Sequence, residues 1–149
     1  MLETYYNLIL TDCGTGLTHS VMSGVLATAD ALVLVSSPAL DGAQSADATL
    51  AWLDAQGYHH LVERTVFVIS AAKPGSTSIN VPDLVAHFEA KVRAVHVLPF
   101  DPHLAEGSII DLERLQKPTR RALEELAAMV ADDFPCAAGR HHGPAGMGR

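Results

Sequence analysis

Short apolar runs alternate with stretches of helical periodicity through most of the chain. Four such runs, at residues 5–11, 31–35, 64–69 and 94–98, are rich in Val, Leu and Ile and have the length of a β-strand. Strands that are apolar on both faces are typical of a parallel sheet covered by helices on each side. The pattern therefore predicts a mostly parallel sheet of about four strands.

Between and after these runs, apolar residues recur every three or four positions, which is the spacing of an amphipathic helix. The spacing predicts helices over residues 17–28, 43–56 and about 80–92, and a last helix over 118–134. Strands that alternate with helices of this length are typical of an α/β fold with right-handed crossovers. We therefore predict one α/β domain over residues 1–135, with helices flanking the sheet.

The composition changes after Pro135. From Cys136 the residues are small or polar, Gly and Pro recur, and no apolar face continues. A segment of this composition buries too little apolar surface to offset the entropy of ordering it. We predict that residues 136–149 form a disordered tail.

Charge and composition narrow the classes of function. The formal net charge is -7, which argues against nonspecific binding to nucleic acid or to an anionic membrane surface. No run approaches the ~20 apolar residues of a membrane span, so we expect no membrane insertion. Cys13 and Cys136 form no spaced pair, which fits a reducing compartment. We expect a cytoplasmic protein.

The first apolar run ends in a carboxylate followed by small residues, since residues 12–16 read Asp-Cys-Gly-Thr-Gly. In α/β proteins, ligand sites form where parallel strands end. A carboxylate at such a position can hold Mg²⁺ directly or through water, and small neighbours let a phosphate approach. A second interpretation stays open, in which Asp12 only caps the following helix.

Residues 12–16, followed by Val-Leu-Val-Ser-Ser-Pro at 33–38, resemble the second half of the MinD/ParA ATPases. These are P-loop NTPases with a deviant phosphate-binding loop. The chain is especially similar to the MinD-like ATPases that accompany type VII (ESX) secretion systems of actinobacteria. Further matching positions extend the resemblance along nearly the whole chain to Pro135: residues 29–33, Trp52-Leu53 with Gly57-Tyr58, residues 98–104 with Gly107, Leu115, and residues 119–134.

The resemblance implies roles for several residues. Asp12 and Gly16 match the Walker B and switch II motif, whose Asp serves the shell of the Mg²⁺ that accompanies ATP. The turn of the family that lines the adenine pocket corresponds to Pro99, Phe100 and Asp101. From the residue pattern alone, these three residues could equally form a turn that ends a strand.

The chain departs from the family at two places. Ser70 stands where the family usually has an Asn that contacts adenine, and a serine side chain is too short for that reach. The family's phosphate loop and its lysines precede the Asp-x-Gly-Thr-Gly strand, whereas only residues 1–4 precede that strand here. We therefore expect that this chain alone does not hydrolyse ATP and holds neither ATP nor Mg²⁺ stably.

Two hypotheses for function follow. The first is a MinD/ParA-like ATPase-family protein without the phosphate loop, working in chromosome partitioning, cell positioning or type VII secretion. The second is a noncatalytic interaction module, a pseudo-ATPase half that docks onto such an apparatus as a homodimer or with a partner protein. An aspartate-nucleophile phosphatase is less favoured, because that chemistry needs a second acid two residues after Asp12, and position 14 is Gly.

Overall fold

The structure is a computed structural model that describes residues 8–14, 20–71, 79–107 and 109–132. Within these ranges, three strands alternate with six helices, which confirms the α/β class. In chain order the elements are α1 (Ser20–Thr28), β1 (Leu32–Ser36), α2 (Leu40–Ala55), α3 (His59–Glu63), β2 (Thr65–Ser70), α4 (Val81–Glu89), β3 (Ala94–Leu98), α5 (Pro102–Ala105) and α6 (Lys117–Ala131).

The three strands form a parallel sheet in the order β1-β2-β3. Leu34 of β1 lies opposite Phe67 of β2, which in turn lies opposite Val95 of β3. All residues of β2 from Thr65 to Ile69 are buried, as the central strand of a parallel sheet requires. The bounds predicted for these three strands agree with the structure to within one residue.

The first predicted strand, over residues 5–11, is not found in the part of it that the structure describes. Residues 8–11 lie outside any strand, and the side chain of Leu10 is 79% exposed. An apolar run becomes a strand only when a neighbouring strand supplies its hydrogen bonds, and the pattern does not reveal that neighbour. The described sheet therefore has three strands rather than about four. Residues 5–7 and the predicted tail, 136–149, lie outside the described residues.

The main core lies on one face of the sheet, beneath α2 and α4. Phe67 and Ile69 of β2 pack with Leu50 of α2 and with Leu84 and Phe88 of α4. The rings of Phe67 and Phe88 stack with centroids 3.9 Å apart, and both residues are fully buried. A smaller cluster joins α1, α2 and α3 through three buried leucines: Leu26, Leu53 and Leu61.

Gly42 allows the first turn of α2 to approach the carboxyl end of β1. A Cβ placed on Gly42 would lie 2.7 Å from the Ser37 Oγ and 2.8 Å from both the Ser36 Oγ and the Ser37 carbonyl oxygen. Two of these atoms belong to short side chains and one to the backbone, so little can move aside. Any larger residue would push α2 away from β1. Gly24, in α1, has open space around the same position.

We expect Gly42→Ala to lower the free energy of unfolding by about 1–3 kcal/mol, because the added methyl overpacks the contact between α2 and β1. Gly24→Ala is the matched control. It should raise that free energy by up to about 1 kcal/mol, since Ala forms helix better than Gly and meets no neighbour there. Urea denaturation followed by circular dichroism measures both values. A Gly42→Ala protein as stable as the wild type would contradict the close approach.

Candidate functional site

A cleft of about 410 Å³ lies at the carboxyl ends of the three parallel strands. Its walls come from the segments that follow each strand, which is where α/β proteins form ligand sites. The volume is within the range of small-molecule pockets. Among the lining residues are Ser36, Ser37, Ser70, Pro99, Phe100 and Asp101.

Four of the predicted site residues meet in this cleft. Ser70 is the half-buried last residue of β2, and Pro99 and Phe100, also half-buried, follow β3. Asp101 is buried, with 3% of its surface exposed. The register explains the meeting, because Ser70 lies opposite Leu98 and the turn after Leu98 therefore lies beside Ser70.

Asp12, a further predicted residue, does not appear among the described residues that line the cleft. Asp12 is exposed, and its Oδ1 accepts a hydrogen bond of 2.9 Å from the backbone NH of Gly14, which forms an Asx turn. Gly14 has a φ of 59°, which a glycine adopts at little cost. Gly16 lies outside the described residues. A role of Asp12 in Mg²⁺ binding stays a prediction.

No group of three or more His, Cys, Asp and Glu side chains is arranged to hold a metal ion within the described parts of the chain.

Charged side chains do meet where α2 lies beside α4. The Asp47 carboxylate accepts a hydrogen bond of 2.7 Å from Lys91 Nζ and faces His87 Nε2 at 2.8 Å. Burial raises the pKa of Asp47, and the hydrogen bonds from Lys91 and His87 lower it by more. None of these three residues is among the described residues that line the cleft.

Asp101 ties the cleft wall to the segment that leads into α6. Its Oδ1 accepts a hydrogen bond from the backbone NH of His103 (2.8 Å), which caps α5, and its Oδ2 accepts one from the backbone NH of Gln116 (2.9 Å). Burial raises the pKa of Asp101, but hydrogen bonds from the backbone NH groups of Gln116, His103 and Leu104, together with the buried Thr119 hydroxyl nearby, outweigh it and hold that pKa below its ordinary value.

His103 makes a second tie to the same segment. It is 5% exposed, and its Nε2 accepts a hydrogen bond of 2.8 Å from the backbone NH of Asp111. An accepting Nε2 leaves the proton on Nδ1, which faces Glu106 Oε2 at 3.3 Å. Asp101 and His103 therefore hold residues 109–116 against the wall of the cleft.

The family resemblance implies that Asp101 lines the adenine pocket, and the residue pattern alone also allows a strand-ending turn, but neither predicts its hydrogen bonds to His103 and Gln116. A signal for the first bond was available, because Asp-Pro at a helix start is the pattern of an N-cap followed by Pro at N1. The bond to Gln116 joins positions 15 apart and leaves no local signal. Ser36 and Ser37 belong to the run at residues 33–38 that carries the family resemblance, which assigns them no role in a site, although they line the cleft.

Nearly all of this chain is similar to part of a secretion-associated protein. The chain is 43% identical over 132 residues to the ESX-1 secretion-associated protein EspI of Mycobacterium tuberculosis, in strain CDC 1551 / Oshkosh and in strain ATCC 25618 / H37Rv. The match takes in 87% of this chain and 20% of EspI, so the chain spans about a fifth of the length of these curated relatives. No protein-family model and no solved structure matches.

Across the described ranges, no helix is both long and apolar enough to pass through a membrane.

Asp101 is expected to make stability depend on pH. Its folded-state pKa lies below that of an unfolded Asp, about 3.9. As pH falls below that value, the unfolded chain binds more protons, so stability is lost until pH has passed the folded-state pKa. Asp101→Asn should therefore reduce stability at pH 7 and flatten the loss of stability below about pH 4.

Urea denaturation between pH 7 and pH 3 measures both effects. Asp30→Asn, at an exposed position, controls for the loss of one negative charge. If Asp101→Asn lost stability as steeply as the wild type when the pH is lowered, the hydrogen bonds of the Asp101 carboxylate to His103 and Gln116 would not stabilise the fold as the structure indicates.

Proposed function

We propose that this chain is part of a MinD/ParA-type nucleotide fold that works in type VII secretion and that it forms the base-side wall of the nucleotide cleft. The observation that carries the proposal is the meeting of Ser70, Pro99, Phe100 and Asp101 in one cleft at the ends of parallel strands. The similarity to EspI, a protein named for its association with ESX-1 secretion, supports the secretion context. The same proposal places the chain in the cytoplasm, beside a secretion apparatus.

Each cleft residue has a different part in this proposal. The Phe100 ring offers an apolar surface on which a nucleobase can stack, and the Ser70 hydroxyl can donate to or accept from the base edge. Asp101 acts on the base indirectly, because each of its carboxylate oxygens already accepts a backbone NH. It positions the turn that carries Pro99 and Phe100.

The phosphates and Mg²⁺ need groups beyond this cleft. Triphosphate charge is offset by backbone NH groups, lysine and arginine, and no Lys or Arg is present among the described residues that line the cleft. By resemblance, Asp12 would serve Mg²⁺ through water, and Gly16 would leave room for the γ-phosphate. We therefore propose that the chain alone recognises the nucleoside weakly and does not hydrolyse ATP.

A second candidate function is noncatalytic docking onto a protein of the secretion apparatus. The loop between α5 and α6 exposes three large apolar side chains, with Ile109 at 92%, Ile110 at 59% and Leu112 at 66%. Asp101 and His103 hold this loop in place, so its apolar surface is presented in a fixed position. Exposed apolar groups on an ordered loop are typical of a contact between proteins.

Equilibrium titration with adenosine, AMP and ATP, each with and without Mg²⁺, tests the nucleotide proposal. We expect adenosine and ATP to bind with similar affinities, with a Kd of roughly a millimolar, since the base supplies most of the contact. Phe100→Ala should weaken adenosine binding about tenfold, because stacking on an aromatic ring contributes roughly 1–3 kcal/mol. Leu112→Ala, at an exposed position outside the cleft lining, should leave it unchanged.

Three results would contradict this proposal. They are the absence of adenosine binding by a chain that circular dichroism shows to be folded, binding that survives Phe100→Ala, and ATP hydrolysis by the isolated chain. If Asp12 serves Mg²⁺, Asp12→Asn should remove any increase in ATP affinity that Mg²⁺ produces and leave adenosine affinity unchanged.

A further inference from the structure

His103 is a buried histidine whose ring accepts a hydrogen bond from the backbone. Its side chain is 4% exposed, and its Nε2 accepts from the Asp111 NH at 2.8 Å. The other ring nitrogen, Nδ1, faces Glu106 Oε2 at 3.3 Å. An imidazole accepts a hydrogen bond through one nitrogen only while it is neutral, with its proton on the other nitrogen. The bond from Asp111 therefore requires a neutral His103 ring.

Charged residues lie near His103 in three segments of the described chain. Glu106 belongs to the same helix, Asp101 precedes that helix, and Asp111 and Arg114 belong to the segment before α6. Arg114 donates hydrogen bonds of 3.1 Å to both carboxylate oxygens of Glu106 and offsets part of its charge. A second proton on the ring would preserve the contact with Glu106, because Nδ1 carries a proton in either state. It would occupy Nε2 and break the bond from Asp111.

The bond from Asp111 holds residues 109–112, the stretch that exposes the apolar side chains of the loop. A different bond holds the turn that follows, because Asp101 Oδ2 accepts the Gln116 NH at 2.9 Å. Burial raises the pKa of Asp101, but its hydrogen bonds hold that pKa below its ordinary value, so this second bond persists down to about pH 4. Histidine, in contrast, ordinarily changes its charge between about pH 5 and 8. The two bonds therefore respond to different ranges of pH.

We propose that the hydrogen bond from Asp111 to His103 is a proton-sensitive attachment, and that a second proton on the ring releases residues 109–112 from α5. Proton uptake at Nε2 and the attached loop exclude each other, so acid favours the released form by linkage. Arg120 of α6 donates to the Leu112 carbonyl in a bond that does not involve the ring. The loop therefore loses one attachment in mild acid while the fold remains. This inference concerns how the loop is held, and it depends neither on nucleotide binding nor on docking to a partner.

Amide hydrogen exchange followed by NMR between pH 8 and pH 5 tests the proposal, with each rate compared with that of an unprotected amide at the same pH. The Asp111 NH should lose about tenfold in protection as the pH falls, and the Gln116 NH should keep its protection. In His103→Gln, the Asp111 NH should stay protected throughout, since an amide oxygen can accept the same bond and gains no proton in this range. His87→Gln, which removes an exposed histidine from α4, is the matched control and should behave as the wild type.

The ring itself provides a second measurement that needs no variant. The ¹⁵N shifts of a histidine ring distinguish an accepting Nε2 from a protonated one, so they follow the proton on His103 directly. Protection of the Asp111 NH should be lost over the same range of pH in which Nε2 gains its proton. The proposal is overturned if Nε2 is protonated while the Asp111 NH stays protected, or if that protection is the same at pH 8 and pH 5. It is also overturned if the Gln116 NH loses protection together with Asp111, or if a folded His103→Gln chain loses it as steeply as the wild type.

Discussion

The central strand β2 is the constraint on which the rest of the structure depends. A parallel strand cannot complete its backbone hydrogen bonds with a tight hairpin, so it needs a partner on each side and a crossover helix for each partner. β1 and β3 supply the partners, and α2 with α4 cover Phe67 and Ile69. This arrangement buries one face of β2 beneath α2 and α4, and the parallel register brings the three carboxyl ends to one edge.

That common edge explains why the cleft forms from residues far apart in the chain. Ser70 ends β2, Ser37 follows β1 and Phe100 follows β3, and only the parallel register brings them together. The fold then holds the edge with polar bonds. Asp101 and His103 each accept a hydrogen bond from a backbone NH in the segment before α6. Loss of the Asp101 carboxylate or of the His103 imidazole would therefore release one wall of the cleft. Site geometry and stability depend on the same side chains here.

The sequence predicted β1, β2 and β3 well, because each is a short, mostly apolar run with a clear end. Gly57, with a φ of 84°, stands just after the end of α2, where a left-handed glycine commonly follows a helix. The start of α2 was predicted less well. The helix begins at Leu40 rather than near Ala43, and Asp41 lies inside it, where its Oδ1 accepts the Gly42 NH. The helix starts early because Gly42 packs against β1, a tertiary contact that local periodicity does not encode.

β1 connects the cleft to the helix that packs beside it. Val35 and Ser36, at the carboxyl end of β1, line the cleft together with Ser37. Gly42 fixes α2 against the same two serines. Because α2 and the cleft share these residues, a substitution that moved α2 away from β1 would also displace this wall of the cleft.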